Sequence, residues 1–501
     1  MIKLEKYKPN KQTQKIIYVT ICILLVAFGA IFLYKSYALY EEKKDFNVIN
    51  GQVEKSGDLY YAYYVNGTIS KDVPTKDSGL TLDTTKSSCN SGVTVSWDDD
   101  NWHAILDYSN YESNSTTRTK CTLYFKEKPP LATTLLNNLV SGANTSSTDV
   151  YTVPNKTSDS CTYTLAYDGT SDNNLRYVGA NPCNYVKIDD ELWRIIGVMN
   201  NIDDGTGKKE TRIKLIRNKS IGTYSWDTSE SSVNNGRGVN EWSQADLMKL
   251  LNPGYESESV GGSLYYNDSS GNCYSNNATI ACDFTTTGLK TNLKNLVGNT
   301  LWNTGTNGTN SFTSASNGLA SHFYSYERSS NTGKICSSGT DCNDTVERTT
   351  TWNGKVGLMY PSDYGYATSG GSTSDRTSCL NKELYNWNSS SYKDCTNNNW
   401  LYHSGTAQWT ISPYAYSSFA YSVFSVYNTG SSSGGGGGGS IVGSIVGSSG
   451  GSSGGGVVGS IVRVNTQSAS FSGWVRPSVY LISKTSILDG EGTFENPYQI
   501  G

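Results

Sequence analysis

The chain has 501 residues, enough for two or more domains rather than a single core. Charged residues make up only 17%, and polarity comes instead from Asn, Ser, Thr and Gly, with 36 Tyr against 11 Phe and 3 His. The net charge is −4 and no basic patch lies beyond the N-terminus, which argues against nucleic acid as a partner.

Residues 1–15 carry Lys3, Lys6, Lys8, Lys11 and Lys15. Residues 16–34, "IIYVTICILLVAFGAIFLY", then run without a charge. At about 1.5 Å per residue this stretch spans the hydrocarbon core of a bilayer. The positive-inside rule predicts a cytoplasmic tail over 1–15, a single transmembrane helix over 16–34 and an extracellular remainder. The alternative is a cleaved signal peptide, since Ser36 and Ala38 resemble a cleavage site, but the apolar run exceeds a usual signal core.

Cysteine usage agrees with export. Cys22 falls inside the span and ten cysteines follow it, an even number that points to disulfides. Spacing leaves the connectivity open. Pairing of neighbours would give Cys89–Cys121, Cys161–Cys183, Cys273–Cys282, Cys336–Cys342 and Cys379–Cys395. A zinc site is disfavoured, because there is no C-x-x-C and the histidines are scattered.

Residues 46–127 read as a small all-β domain, an Ig-like sandwich. "DLYYAYYVNGTISK" predicts a hairpin turning at Asn66-Gly67. Cys89 and Cys121 would staple the sheet, and "KEKPP" ends it. Residues 128–149 read as a linker, with a short helix over 131–141.

A larger domain is expected over 150–485. "YVKIDDELWRIIGVMN" and "TRIKLIRNKS" predict a strand pair around the turn "NIDDGTGKKE". "NEWSQADLMKLLNPGY" predicts a helix capped by Ser243, with Asp246 at its third position and Asn252-Pro253-Gly254 as its stop. "GLKTNLKNLVGNTLWNTG" predicts a second helix on the spacing of Leu289, Leu293, Leu296, Val297 and Leu301. Polar loops follow, then the strand "KVGLMYP", then "WTISP", "YSVFSVYNTG" and "SGWVRPSVYLIS" as late strands. A hairpin, two helices, loops and a strand cluster predict an α+β domain whose first and last strands lie together. Residues 431–462 are a Gly/Ser-rich low-complexity insertion, and 486–501 read as a C-terminal tail.

Candidate chemistry is sparse. "GSSGG" fits G-x-S-x-G, but lacks the strand and helix that a nucleophile elbow requires. Cys395 and His403 would make a thiol–imidazole pair only if Cys395 escaped a disulfide. Asp363 and Glu383 are the carboxylates a hydrolase reading would use. The acidic stretches 203–207 and 489–496 suit calcium, although turn chemistry accounts for both. Aromatics in polar loops are better ligand contacts, because a ring stacks on a sugar face while amides fix its hydroxyls. These are Tyr364 and Tyr366, with Asp363, in "SDYGYATSGG", and Trp400 and Tyr402 in "NNNWLYHSG". The competing reading of Trp400 is core. Trp193, Trp242, Trp302 and Trp474 read as core outright. No cofactor, metal or catalytic residue is expected.

Over roughly 160–485 the chain resembles a family of bacterial surface domains related to the C-type-lectin-like and formylglycine-generating-enzyme-like fold. The resemblance rests on Trp409 to Pro413, the segment Tyr427 to Gly430, Val475 to Pro477, and the earlier "ELWRIIGV", "NEWSQADLMKLLN" and "KVGLMYPSDYGYA". It implies a C-type-lectin-like domain, and it implies that the Gly/Ser run is an expanded loop inside that domain rather than a linker. No cysteine matches the placement that formylglycine chemistry needs, so the activity does not follow from the fold. The expectation is a membrane-anchored surface protein that recognises carbohydrate or protein. An exported hydrolase and a passive structural protein are the alternatives.

Overall fold

A computed structural model describes residues 11–12, 60–70, 74–76, 78–90, 92–98, 101–111, 119–128, 131–140, 144–145, 150–153, 160–229, 237–306, 311–332, 346–387, 389–401, 407–415, 420–428 and 462–501. The expected membrane span, Cys22, the Cys336–Cys342 pair, Tyr402, His403 and the Gly/Ser run up to residue 461 lie outside the described residues. Among the described residues no helix is long and apolar enough to cross a membrane. The chain divides into two compact units, Met1–Lys128 and Pro129–Gly501.

The first unit is a mixed sheet with a separate ribbon. Strand Tyr60–Val65 turns through Asn66 and Gly67, both at positive φ, into Thr68–Ser70. Asn and Gly are the residues that tolerate this paired left-handed turn. Tyr60–Val65 also runs parallel to Lys120–Glu127, which pairs in turn with Leu80–Leu82 and Ser88–Cys89. Cys89 and Cys121 are direct cross-strand partners and are joined as a disulfide. Strands Thr94–Asp98 and His103–Asp107 form the ribbon. Leu82, Leu106, Leu123 and Phe125 form the core, with Trp97 and Trp102 packed against it.

The second unit is α+β. Its main sheet centres on strand Glu191–Asp203, which is apolar on both faces and pairs with Lys209–Arg217, Leu175–Tyr177 and Tyr185–Ile188. Lys209–Arg217 is followed outward by Ser478–Tyr480 and Val356–Gly357. The second sheet orders Thr223–Ser225, Ser472–Trp474, Gln408–Pro413, Ser422–Asn428 and Val462–Ser468. The last two are antiparallel neighbours in register from Ser422↔Ser468 to Asn428↔Val462. The Gly/Ser run therefore connects two adjacent strands of one sheet, and Val462, placed in the insertion on composition, belongs to a strand.

Several expectations are corrected. Residues 128–149 are not a free connector: helix Ala132–Val140 buries Ala132, Leu136 and Val140 in the second unit's core. Nor are 486–501 a tail. Tyr498–Ile500 pairs with both Tyr185–Ile188 and Ile487–Asp489, and Leu131 bridges Ser486, so the unit's two ends meet. Ser243 caps no α-helix. Glu241 accepts the Ser243 N–H at the head of a 3-10 turn, and the helix Asp246–Leu251 starts after it. The second predicted helix stops at Leu296. Beyond it the Gly298 N–H donates to Tyr480, and Thr300–Asn303 pairs as a strand with Thr351–Gly354. Alternating burial over 300–303 overrides the helical spacing of Leu301. "KVGLMYP" pairs as a strand only over Val356–Gly357.

Candidate functional site

Tyr185 and Arg194 are direct cross-strand partners in the hairpin that turns at Asp189. The Arg194 guanidinium lies over two rings, 4.2 Å from the Tyr185 ring centre and 4.5 Å from the Trp400 ring centre. A cation over two ring faces is attracted by both quadrupoles. Trp400 is fixed by its Nε1–H, which donates to the Tyr177 carbonyl at 2.8 Å. Arg194 donates from Nε to Asn184 Oδ1 at 2.7 Å, and from Nη2 to Asn181 Oδ1 and the Pro182 carbonyl. No carboxylate pairs with it among the described residues. Burial draws its pKa down to about 10, so it stays cationic at neutral pH.

The outer end of this stack is open. Phe494 is 57% exposed and meets the Tyr185 ring edge to face at 5.7 Å. The segment carrying it is pinned from below. The Tyr185 N–H donates to the Gly492 carbonyl, Tyr163 Oη to the Glu491 carbonyl, and Ser160 Oγ to Glu495. Gly492, at φ +76°, passes so close that a Cβ would sit 2.6 Å from the Cys183 carbonyl oxygen. Cys183 is itself tied to Cys161. Asn181, half-buried, completes the rim and accepts from Tyr185 Oη at 3.0 Å. Arg194 and Asn184 are buried, so what the surface offers a ligand is the exposed Phe494 ring, which can stack on an apolar face, and the half-buried Asn181 amide.

The sequence-chosen contacts are distributed differently. Trp400 joins the stack, but at 2% exposure it serves as inner wall rather than loop contact. Asp363, Tyr364 and Tyr366 are corrected outright. "PSDYGY" is a helix, Pro361–Tyr366, and every residue of it is buried. Asp363 Oδ2 accepts the Tyr360 N–H at 2.9 Å and so caps that helix. The same carboxylate takes Lys214 Nζ at 2.6 Å and Arg176 Nη1 at 2.7 Å, and Arg176 Nε reaches Asp168 at 2.8 Å. These four charges cancel inside the core. The two cations hold Asp363 down at about 2 against the desolvation that opposes ionisation, and burial brings Lys214 down to about 8. Nearby, Glu327 accepts Ser362 Oγ and N–H, and burial pushes it up to about 7.

Glu383 pairs with Lys382 at 2.9 Å, so the two carboxylates of the hydrolase reading are each neutralised by their own cations. Cys395 is joined to Cys379, and Cys273 to Cys282. Both acidic stretches are turns. Asp203 accepts from Gly205, Gly207 and Lys209, and Asp489 from Gly490. Among the described residues no group of three or more His, Cys, Asp or Glu could hold a metal ion. Trp193, Trp242 and Trp302 are core as expected, whereas Trp474 is only half-buried.

Arg194 and Phe494 escaped sequence reasoning. A charge inside the apolar run "LWRIIGV" was the available signal for the first. An isolated Phe in the polar turn "GEGTFEN" was the signal for the second. Comparison with family models, with curated proteins and with solved structures finds no match to this chain.

Proposed function

We propose that the chain is a single-pass, membrane-anchored surface protein whose extracellular second unit recognises carbohydrate. On this reading the first unit is Ig-like and the second C-type-lectin-like. The observation that carries recognition is Phe494, an exposed ring fixed at the end of the Trp400–Arg194–Tyr185 stack beside Asn181. A ring held on a rigid base loses little entropy when it stacks on a sugar. Export is supported by the uncharged run 16–34 and by the four disulfides among the described residues, bonds that persist in oxidising compartments.

The test uses the full chain, first on intact cells and then in vesicles. A membrane-impermeant label on intact cells should reach the second unit, and a glycan array should return ligands that Phe494→Ala loses with the fold unchanged. A blank array alongside capture of one defined protein would move the ligand to the protein class. Blank results in both, or binding indifferent to Phe494, would remove the proposed site.

A further inference from the structure

The buried ion pair between Lys214 and Asp363 has the setting of a reacting pair. Lys214 Nζ lies 2.6 Å from Asp363 Oδ2, with the two side chains 0% and 2% exposed. Lys214 is on a central strand of the main sheet, Asp363 on a helix 149 residues further along. The ammonium is enclosed by aromatic rings: Tyr360 at 4.0 Å, Tyr480 at 5.2 Å and Trp302 at 5.3 Å from their centres. Arg176 Nη1 holds the other carboxylate oxygen, Oδ1, at 2.7 Å. A third carboxyl, Glu327, is buried against Ser362, the residue preceding Asp363, and interacts electrostatically with both Lys214 and Asp363.

We propose that Lys214 and Asp363 condense to an intramolecular amide, a covalent bond between the central sheet and the helix Pro361–Tyr366. Nζ first passes a proton to Oδ2 across the 2.6 Å hydrogen bond, and the resulting neutral amine then attacks Cγ of the acid, forming the Nζ–Cγ bond. The negative charge that develops on Oδ1 meets the Arg176 guanidinium, a fixed donor aimed at that atom. The Cγ–Oδ2 bond then breaks, and Oδ2 leaves as water with two of the protons that began on the ammonium. Glu327, buried beside Ser362 and interacting electrostatically with both partners, is assigned the relay of the second of these protons, from the attacking nitrogen to Oδ2. One ammonium and one carboxylate give one amide and one water, so atoms and charge balance without an oxidant, cofactor or second substrate.

The interior favours this direction for two reasons. In bulk water both ions are well hydrated, and the ion pair wins. Here both are out of reach of bulk solvent, so condensation removes two buried charges and replaces them with a neutral group. It also leaves no charge stranded, because Arg176 retains Asp168 at 2.8 Å. Proximity supplies the rest, since the reacting groups are already held in contact by the fold.

The test is peptide mapping of the full-length protein after reduction, alkylation and trypsin. A branched peptide is expected, residues 213–217 joined to 356–376, lighter than the sum of its parts by one water, with Lys214 protected from cleavage. Asp363→Ala should return linear peptides only, with Lys214 cleaved: 213–214, 215–217 and 356–376. Glu327→Gln, which keeps both partners, should slow or abolish the linkage while circular dichroism stays native. Wild-type protein cleaved at Lys214, with 356–376 recovered as a linear peptide of full mass, overturns the proposal. So does a water loss that persists in Asp363→Ala. The wild-type map decides the matter even if a variant fails to fold.

Discussion

Arg176 joins Asp168 to Asp363, donating from Nε to the first at 2.8 Å and from Nη1 to the second at 2.7 Å, with all three side chains buried. Asp168 also accepts from Thr170, the Asn174 N–H and the Asn174 amide, so it anchors the turn before strand Leu175–Tyr177. Asp168→Ala should therefore cost about 3–5 kcal/mol, the effect of removing one partner from a buried ion network. Urea titration of the purified second unit's transition measures it. A loss below about 1 kcal/mol would show that water reaches Arg176 and replaces the carboxylate.

Glu327 predicts a pH dependence. Burial raises its folded pKa from 4.5 to about 7. Between those values the folded state binds more protons than the unfolded state, so stability falls as pH rises. The contribution is full below pH 4.5 and lost by about pH 7, on the order of 3 kcal/mol across the window. Glu327→Gln should flatten that decline. A wild-type melting profile level from pH 4.5 to 7 would contradict the assignment.

The disulfide Cys379–Cys395 ties helix Arg376–Leu380 to helix Lys393–Asn397 across a separation of 16 residues, with both cysteines fully buried. Replacing both by Ser should destabilise the unit by about 3 kcal/mol through the freedom restored to the unfolded loop. Chemical denaturation of the double variant against wild type reads the difference directly.

Asn428 and Val462 are direct antiparallel partners. Replacing residues 429–461 by a two-residue Asn-Gly turn should leave the second sheet intact and raise stability by about 2 kcal/mol, because loop closure cost grows only with the logarithm of length. Loss of folding in that deletion would make the run part of the core.

Gly492→Ala should displace the segment that carries Phe494, since its φ of +76° is strained for alanine and a Cβ would meet the Cys183 carbonyl at 2.6 Å. The expected result is weakened binding comparable to Phe494→Ala, with a modest fall in melting temperature. Full binding at Gly492→Ala would separate recognition from this segment.

The α+β order, the Asn66-Gly67 hairpin and the use of cysteines in disulfides were legible in the sequence, while the four described pairings, all between neighbours, came from the structure. Each legible feature rests on a simple cue: alternation, a turn dipeptide, or an even number of cysteines. Errors came where a local pattern met a distant competitor. Leu301 kept helical spacing, yet Thr300–Asn303 was captured as a strand by Thr351–Gly354. "SDYGYA" looked like an exposed polar loop because its composition is polar. Its Asp363 is buried because Lys214 and Arg176, 149 and 187 residues away, neutralise it.

Local commitments can be read within single windows of the chain: where strands turn, which cysteines can meet, where an apolar run interrupts polar chain. Those follow from backbone preference and short-range spacing. Only the tertiary structure decided which polar residues go inside and which aromatic stays out. Burying Asp363 requires cations from two other strands, and exposing Phe494 requires a segment pinned at Gly492 against Cys183. Neither condition is written within one window of the chain, because the electrostatic and steric partners come together only when the main sheet has formed.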